Sequence, residues 1–152
     1  FFQFMPSTMK NYAIDYDKNS YIDLKNNNDA YASAANYLNK IGWKDDQPCF
    51  YKINLSNEVP KKYLNVSAKK LHDKKKLNYF RKYIVNDNIL DKRFDNLTAA
   101  LITPDKDIIP NAENLSPAYI VFNNYEIILK WNRSLRFSLA VCTLKDKFKD
   151  EL

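Results

Sequence analysis

Apolar and polar positions along the chain divide it into helical and alternating stretches. Met5-Pro6-Ser7-Thr8 reads as a loop entering a short helix that ends near Ala13. Ala30, Ala34, Tyr37, Leu38 and Ile41 then recur at helical spacing, with Asn28 as the expected cap, Asp29 in the first turn and Gly42 just past the end. Cys49 to Leu55 alternates in strand fashion. A basic helix is expected from about Ser67 to Ile84, with Leu71, Leu77, Phe80 and Ile84 inward. Leu97–Ile102 and Ala118–Phe122 are short strand-like runs, with Pro104, Pro110 and Pro117 punctuating the segment between them, and predict a small antiparallel sheet. Ser134 caps a last helix whose apolar stripe is Phe137, Val141, Leu144 and Phe148.

Between the first two helices the polar pattern itself carries chemistry. Asp15, Asp17, Asn19, Tyr21 and Asp23 stand at positions 1, 3, 5, 7 and 9 of an EF-hand-like series, with Ile22 at the apolar position 8. A hard cation such as calcium takes about six to eight oxygens, and alternate residues of a tight loop supply them, one through its backbone carbonyl. Two positions depart from the pattern. Ser20 replaces the glycine of position 6, where the chain turns with positive φ. Asn26 replaces the glutamate of position 12, and the next carboxylate is Asp29, at position 15. An Asx-rich turn without metal is the competing reading of the same residues.

Composition changes this picture little. The chain has 152 residues, about one domain, with 45% hydrophobic and 14% aromatic content, enough for a packed core. A single glycine leaves the turns to Asn, Asp and Pro. The net charge of +6 favours anionic partners, although Lys69-Lys70 and Lys74-Lys75-Lys76 read first as a solvated helix face. A nucleic-acid binder would use the same charge and the tyrosines, but no such motif is present. Cys49 and Cys142, both among apolar neighbours and without metal spacing, are expected as two buried thiols. His72 stands alone and is given no role. No run of 18 apolar residues marks a transmembrane helix. No signal peptide is visible, and a chain opening on Phe is expected to have lost or lack an upstream segment.

The order of these blocks resembles the B-type membrane-bound lytic murein transglycosylases. In that family a Gln-Phe-Met-Pro-Ser loop precedes an Asp-rich loop, followed by an Asp-Ala-x-x-Ser-x-Ala-Asn-Tyr helix ending in Gly-Trp. Here these are Gln3–Ser7, Asp15–Leu24 and Asp29–Tyr37, ending at Gly42-Trp43. The family's Tyr/Trp-Asn-x-Ser turn and Tyr-Ala-Leu-Ala-Val helix correspond to Trp131-Asn132-Arg133-Ser134 and Phe137-Ser138-Leu139-Ala140-Val141. Residues 97–149 follow the pattern throughout, 45–95 only loosely.

The resemblance implies an α+β, mainly α, lysozyme-like fold in one domain. Residues 1–45 would be core with the EF-hand-like loop, 46–122 a β-containing insertion and 123–152 returning core helices. It implies cleavage of the β-1,4 bond between N-acetylmuramic acid and N-acetylglucosamine in peptidoglycan, with a 1,6-anhydro product. It implies a loop closed by the carboxylate at position 15, hence calcium held by Asp15, Asp17, Asn19, Tyr21 and Asp29. Gln3, Phe4, Met5, Trp131, Asn132 and Phe137 would bind substrate, Phe137 standing where the family has Tyr. Arg133, Arg136 and the excess of lysines would attract the carboxylates of the peptide stems. The partners implied are glycan strands and no nucleic acid, and the location is the bacterial envelope, periplasmic and anchored, if at all, through the missing N-terminus.

The family's catalytic glutamate precedes the Gln-Phe-Met-Pro block, and Glu58, Glu113, Glu126 and Glu151 all lack its context. No catalytic residue is therefore expected in this chain. The acid is expected upstream of Phe1, in a missing half that would make this a fragment or one chain of a split enzyme. The alternative is a non-catalytic module that grips peptidoglycan or calcium.

Overall fold

The computed structural model describes residues 4–105, 115 and 117–151, with side chains as far as Lys147. The chain divides into two compact units, Phe1–Lys44 and Asp45–Leu152.

In the first unit, helix α1 (Pro6–Tyr12) starts on a proline, whose fixed φ and missing N–H suit a first helical turn. Helix α2 (Asn27–Lys40) is capped by Asn26, whose side chain accepts the Asn28 N–H at 2.9 Å. The cap is therefore two residues before the expected Asn28, because Asn26 has the extended backbone a capping residue needs. At the other end Gly42 takes φ 104°, and the N–H groups of Gly42 and Trp43 bond the carbonyls of Asn39 and Leu38, both at 3.0 Å. This is the Schellman closure that the Gly-Trp ending announces. The Asn36 amide donates to the Tyr12 carbonyl at 2.8 Å and joins the two helices.

The second unit is built on a sheet in the order β1-β5-β4-β2: β1 (Phe50–Ile53), β5 (Ala118–Val121), β4 (Thr98–Ile102) and β2 (Leu64–Asn65). A two-residue strand β3 (Lys75–Lys76) also pairs with β4, Lys75 opposite Ala99. The β4–β5 pair is antiparallel, Leu101 opposite Ile120, but β2 runs parallel to β4, Leu64 opposite Leu101. The sheet is thus mixed where antiparallel pairing is expected. From Ala99 to Ile102 every residue of β4 is buried, as a central strand covered on both faces requires. Leu77, Phe80, Ile84 and Tyr63 pack with Leu101 and Ile120 in one core cluster.

Three expectations need correction here. The segment 67–84 is not one helix: it forms β3, a single turn α3 (Leu77–Phe80) and a 3-10 turn at Arg81–Tyr83. Its four apolar positions are buried as expected, but Asn65 ties the backbone at His72 and separates Leu71 from the other three. The Asn65 side chain accepts the His72 N–H at 2.8 Å and donates to the carbonyls of His72 and Leu101 at 3.2 and 3.0 Å.

Second, Cys49 and Cys142 are a disulfide, not two thiols, with Cα atoms 6.0 Å apart. Third, after α4 (Asn123–Trp131), the helix α5 (Leu135–Glu151) buries Leu135, Ser138 and Cys142, while Phe137 and Leu144 are 41% and 54% exposed. The face that turns inward is the one carrying the disulfide, and its small residues are invisible to a count of large apolar positions. Ser134 does cap α5, accepting the Phe137 N–H at 3.2 Å. The helices of 123–151 belong to the same unit as the sheet.

Candidate functional site

The loop of the first unit closes on one residue. Asp29, in the first turn of α2, is completely buried. One of its carboxylate oxygens accepts the Tyr16 N–H and the other the Asp23 N–H, both at 2.9 Å. The bond from Asp23, then that from Tyr16, holds the carboxyl below the ordinary aspartate range, outweighing the opposing effect of burial. A buried carboxylate that ties the start of the loop to its end explains why the chain returns here at all.

Asp15 accepts the N–H groups of Asn19 and Ser20 at 3.1 and 2.8 Å, and Asp17 also accepts that of Asn19 at 3.2 Å. The Asn19 side chain accepts the Tyr21 N–H at 2.8 Å. These bonds bend the backbone through Lys18 and Ser20 at φ 60° and 71°. Ser20 does occupy a positive-φ position, the conformation for which glycine is favoured there. The Ile14 N–H to Ser33 Oγ bond, 3.0 Å, fixes the loop entrance on α2.

As a result Asp15, Asp17 and Asp29 bring one carboxylate oxygen each within 4.8 Å of one another. Among the described residues no salt bridge reaches any of the three. Three converging hard oxygens suit a hard divalent cation, which would offset their mutual repulsion. Asn19 lies inside the loop's hydrogen-bond pattern, whereas the Tyr21 ring is in solvent, so only its backbone is available. Asp23 uses a side-chain oxygen to accept the Lys25 N–H at 2.9 Å.

The expected substrate residues fall in both units. Gln3 lies outside the described residues. Phe4 is half-buried and packs edge-to-face on Tyr37, ring centroids 6.3 Å apart, while Met5 is 67% exposed at the start of α1. In the second unit Trp131 ends α4 half-buried, Asn132 is exposed in the turn, and Phe137 follows in the first turn of α5. The Ser134 N–H closes that turn on the Asn132 carbonyl at 2.7 Å.

Glu126 is tied to Lys74, whose ammonium lies 3.2 and 3.0 Å from the two carboxylate oxygens. A general acid is made by apolar surroundings that hold its proton. Here the carboxylate instead faces the Lys74 ammonium and is partly open to solvent. Glu58 sits exposed in the turn after Ser56. Glu113 and the Glu151 side chain lie outside what is described.

Residues 1–146 match the Transglycosylase SLT domain family, and the chain belongs to that family. Its relatives are lytic transglycosylases of the B type. A stretch of 46 residues is 48% identical to the membrane-bound lytic murein transglycosylase B of Escherichia coli strain K12, covering 30% of this chain and 13% of that protein. SltB3 of Pseudomonas aeruginosa, solved in complex with NAG-NAM-pentapeptide, is 32% identical with a TM-score of 0.78, over 97% of this chain and 37% of that one. Escherichia coli Slt35, solved in complex with calcium, shares the fold at 22% identity and a TM-score of 0.65, over 93% of this chain and 41% of its own. The chain thus spans well under half of these relatives. The fold is α+β, mainly α, of the lysozyme-like lytic transglycosylase kind. No described helix is long and apolar enough to cross a membrane.

Proposed function

We propose that this chain is the glycan-holding and cation-binding part of a peptidoglycan lytic transglycosylase. Such an enzyme breaks the β-1,4 bond between N-acetylmuramic acid and N-acetylglucosamine and leaves a 1,6-anhydro end. The observation that carries the reading is the family match over residues 1–146, joined to a relative solved with a NAG-NAM-pentapeptide. The reaction uses the muramyl 6-hydroxyl in place of water, so one carboxyl group acts first as acid and then as base. The paired carboxylates of ordinary glycosidases are not needed. Glu126 is bound by Lys74 and Glu58 lies in an exposed turn, so the carboxyl is supplied from outside the described residues.

Substrate contacts are assigned to Gln3, Phe4 and Met5 in one unit and to Trp131, Asn132 and Phe137 in the other. The Trp131 ring offers a flat apolar face to a sugar. Phe137 has no hydroxyl with which to bond substrate. Calcium is assigned to Asp15, Asp17 and Asp29, with Asn19 and the Tyr21 carbonyl completing the oxygen set; a relative of the same fold binds this ion. Bound there, it would neutralise the three carboxylates and stiffen the loop. The location proposed is the bacterial envelope, on the periplasmic side. The Cys49–Cys142 disulfide supports it, because such bonds persist in oxidising compartments.

The reading is tested by sedimenting the chain with peptidoglycan sacculi. Retention on sacculi, weakened by Trp131→Ala, is expected. A chain that stays in the supernatant with all glycan, and binds single-stranded nucleic acid in a salt-dependent way, would replace this reading with the nucleic-acid one.

A further inference from the structure

A cleft of about 330 Å³ lies in the unit Asp45–Leu152 between the segment Ala68–Leu71 and the end of α4. Four cations line it: Lys69 and Lys70 from the segment, Lys130 from α4 and Arg133 from the turn that follows. All four are exposed, and no hydrogen bond or salt bridge holds any of the four side chains among the described residues. Arg136, by contrast, is spent in a salt bridge to Asp105.

The cleft is built rather than incidental. Asn65 clasps the backbone of His72, and Leu71 is buried, so Lys69 and Lys70 project from a segment anchored at its end. Buried Leu129 gives the cleft an apolar wall. On one side stands the Glu126 carboxylate, already paired with Lys74.

We infer that this cleft binds the peptide stem of peptidoglycan through its carboxylates, outside the substrate contacts assigned above. The inference rests on the proposed function and names the part of the substrate that this region takes. The mixed lining selects the ligand class. Four cations attract carboxylates, and the apolar wall suits short side chains. Glu126 accepts amide or ammonium N–H groups. A polymer of phosphates would meet the same carboxylate as a repulsion and has nothing for the apolar wall.

The test compares binding of the chain to intact sacculi and to sacculi stripped of stem peptides by an amidase. Polyphosphate and a free stem pentapeptide serve as competitors. Intact sacculi are expected to bind at least about fivefold tighter, the scale of a few exposed charge contacts. Lys69→Ala/Lys130→Ala should lose that difference and keep its affinity for stripped glycan, with an unchanged melting curve. If the double variant melts early, Lys130→Glu is read against Lys130→Arg, and only the arginine should keep the difference. Equal binding of the wild-type chain to both sacculi, or a difference that survives the substitutions, would overturn the inference. Stronger competition by polyphosphate than by the pentapeptide would overturn the ligand class. No binding to stripped glycan at all would strike at the proposed function instead.

Discussion

The two units are held together by different physics. Among the described residues of the first, the fully buried ones are Asp29, Ala30, Ser33 and Ala34, while Met5, Tyr16, Tyr21 and Tyr31 are exposed. Its order comes from side-chain-to-backbone hydrogen bonds around the loop. The second unit buries Leu77, Phe80, Leu101, Ile102, Ile120 and Tyr125 almost completely and adds a disulfide. Apolar burial responds little to a dilute divalent cation or to mild acid, whereas a cluster of carboxylates responds to both. The first unit should therefore be the adjustable one and the second the fixed support.

The sharpest way to break that contrast is to open the disulfide. Cys49 and Cys142 are 93 residues apart. Removing a cross-link over a loop of that length costs about 4–5 kcal/mol in the chain-entropy account. Cys49→Ser/Cys142→Ser should lower the urea midpoint of the second unit accordingly, and amide exchange in α5 should accelerate first. Leu101→Ala comes next. A fully buried leucine in the central strand should cost about 2–5 kcal/mol, read by the same melts and unaffected by calcium.

Calcium is the corresponding handle on the first unit. At a hundred times its dissociation constant the ion should stabilise the unit by about 2.7 kcal/mol. The slowed amide exchange should centre on Tyr16 and Asp23, and Asp29→Asn should abolish it. Without the ion, pH reads the same carboxylate. The Asp29 pKa is lowered on folding, so its contribution is complete above the ordinary aspartate value of about 4. It is lost as the pH falls through the lowered folded value. Acid should loosen the loop before it loosens the sheet. The smallest effect expected is from Ser20→Gly, which removes the side-chain penalty at φ 71° and should gain about 0.5–1 kcal/mol.

Much of this architecture was legible because local chemistry and tertiary packing agree. Gly42 and the strands around Ile53, Leu101 and Ile120 lie where turn chemistry and alternation put them. Asp15 and Asp17 stood out by loop spacing, whereas Asp29 entered the ligand set only through the family resemblance; one carboxylate oxygen of each lies within 4.8 Å of the others. The failures are places where one distant group decides. The Asn65 amide breaks a helical pattern at 67–84 into bends, a two-residue strand and two short helical turns, and Asp73 at φ 52° belongs to one of those bends. Cys142 pulls the small-residue face of α5 inward and leaves Phe137 outside. Neither partner choice can be read from spacing. The disulfide had one usable signal, since the envelope location that the resemblance implies would favour a bond over two thiols. The Lys69–Lys130 cleft was out of reach for the same reason as the helix, because it depends on the Asn65 clasp.

The most direct test of the account is a digest of sacculi analysed by mass spectrometry for 1,6-anhydro muropeptides. The chain would be assayed alone and fused behind the upstream part of the Pseudomonas aeruginosa relative, with calcium present in both. The account predicts anhydro ends from the fusion and none from the chain alone, which should bind the sacculi without cutting them. Anhydro ends made by the chain alone and lost in Glu126→Gln would contradict it, by placing the acid on a carboxylate held by Lys74.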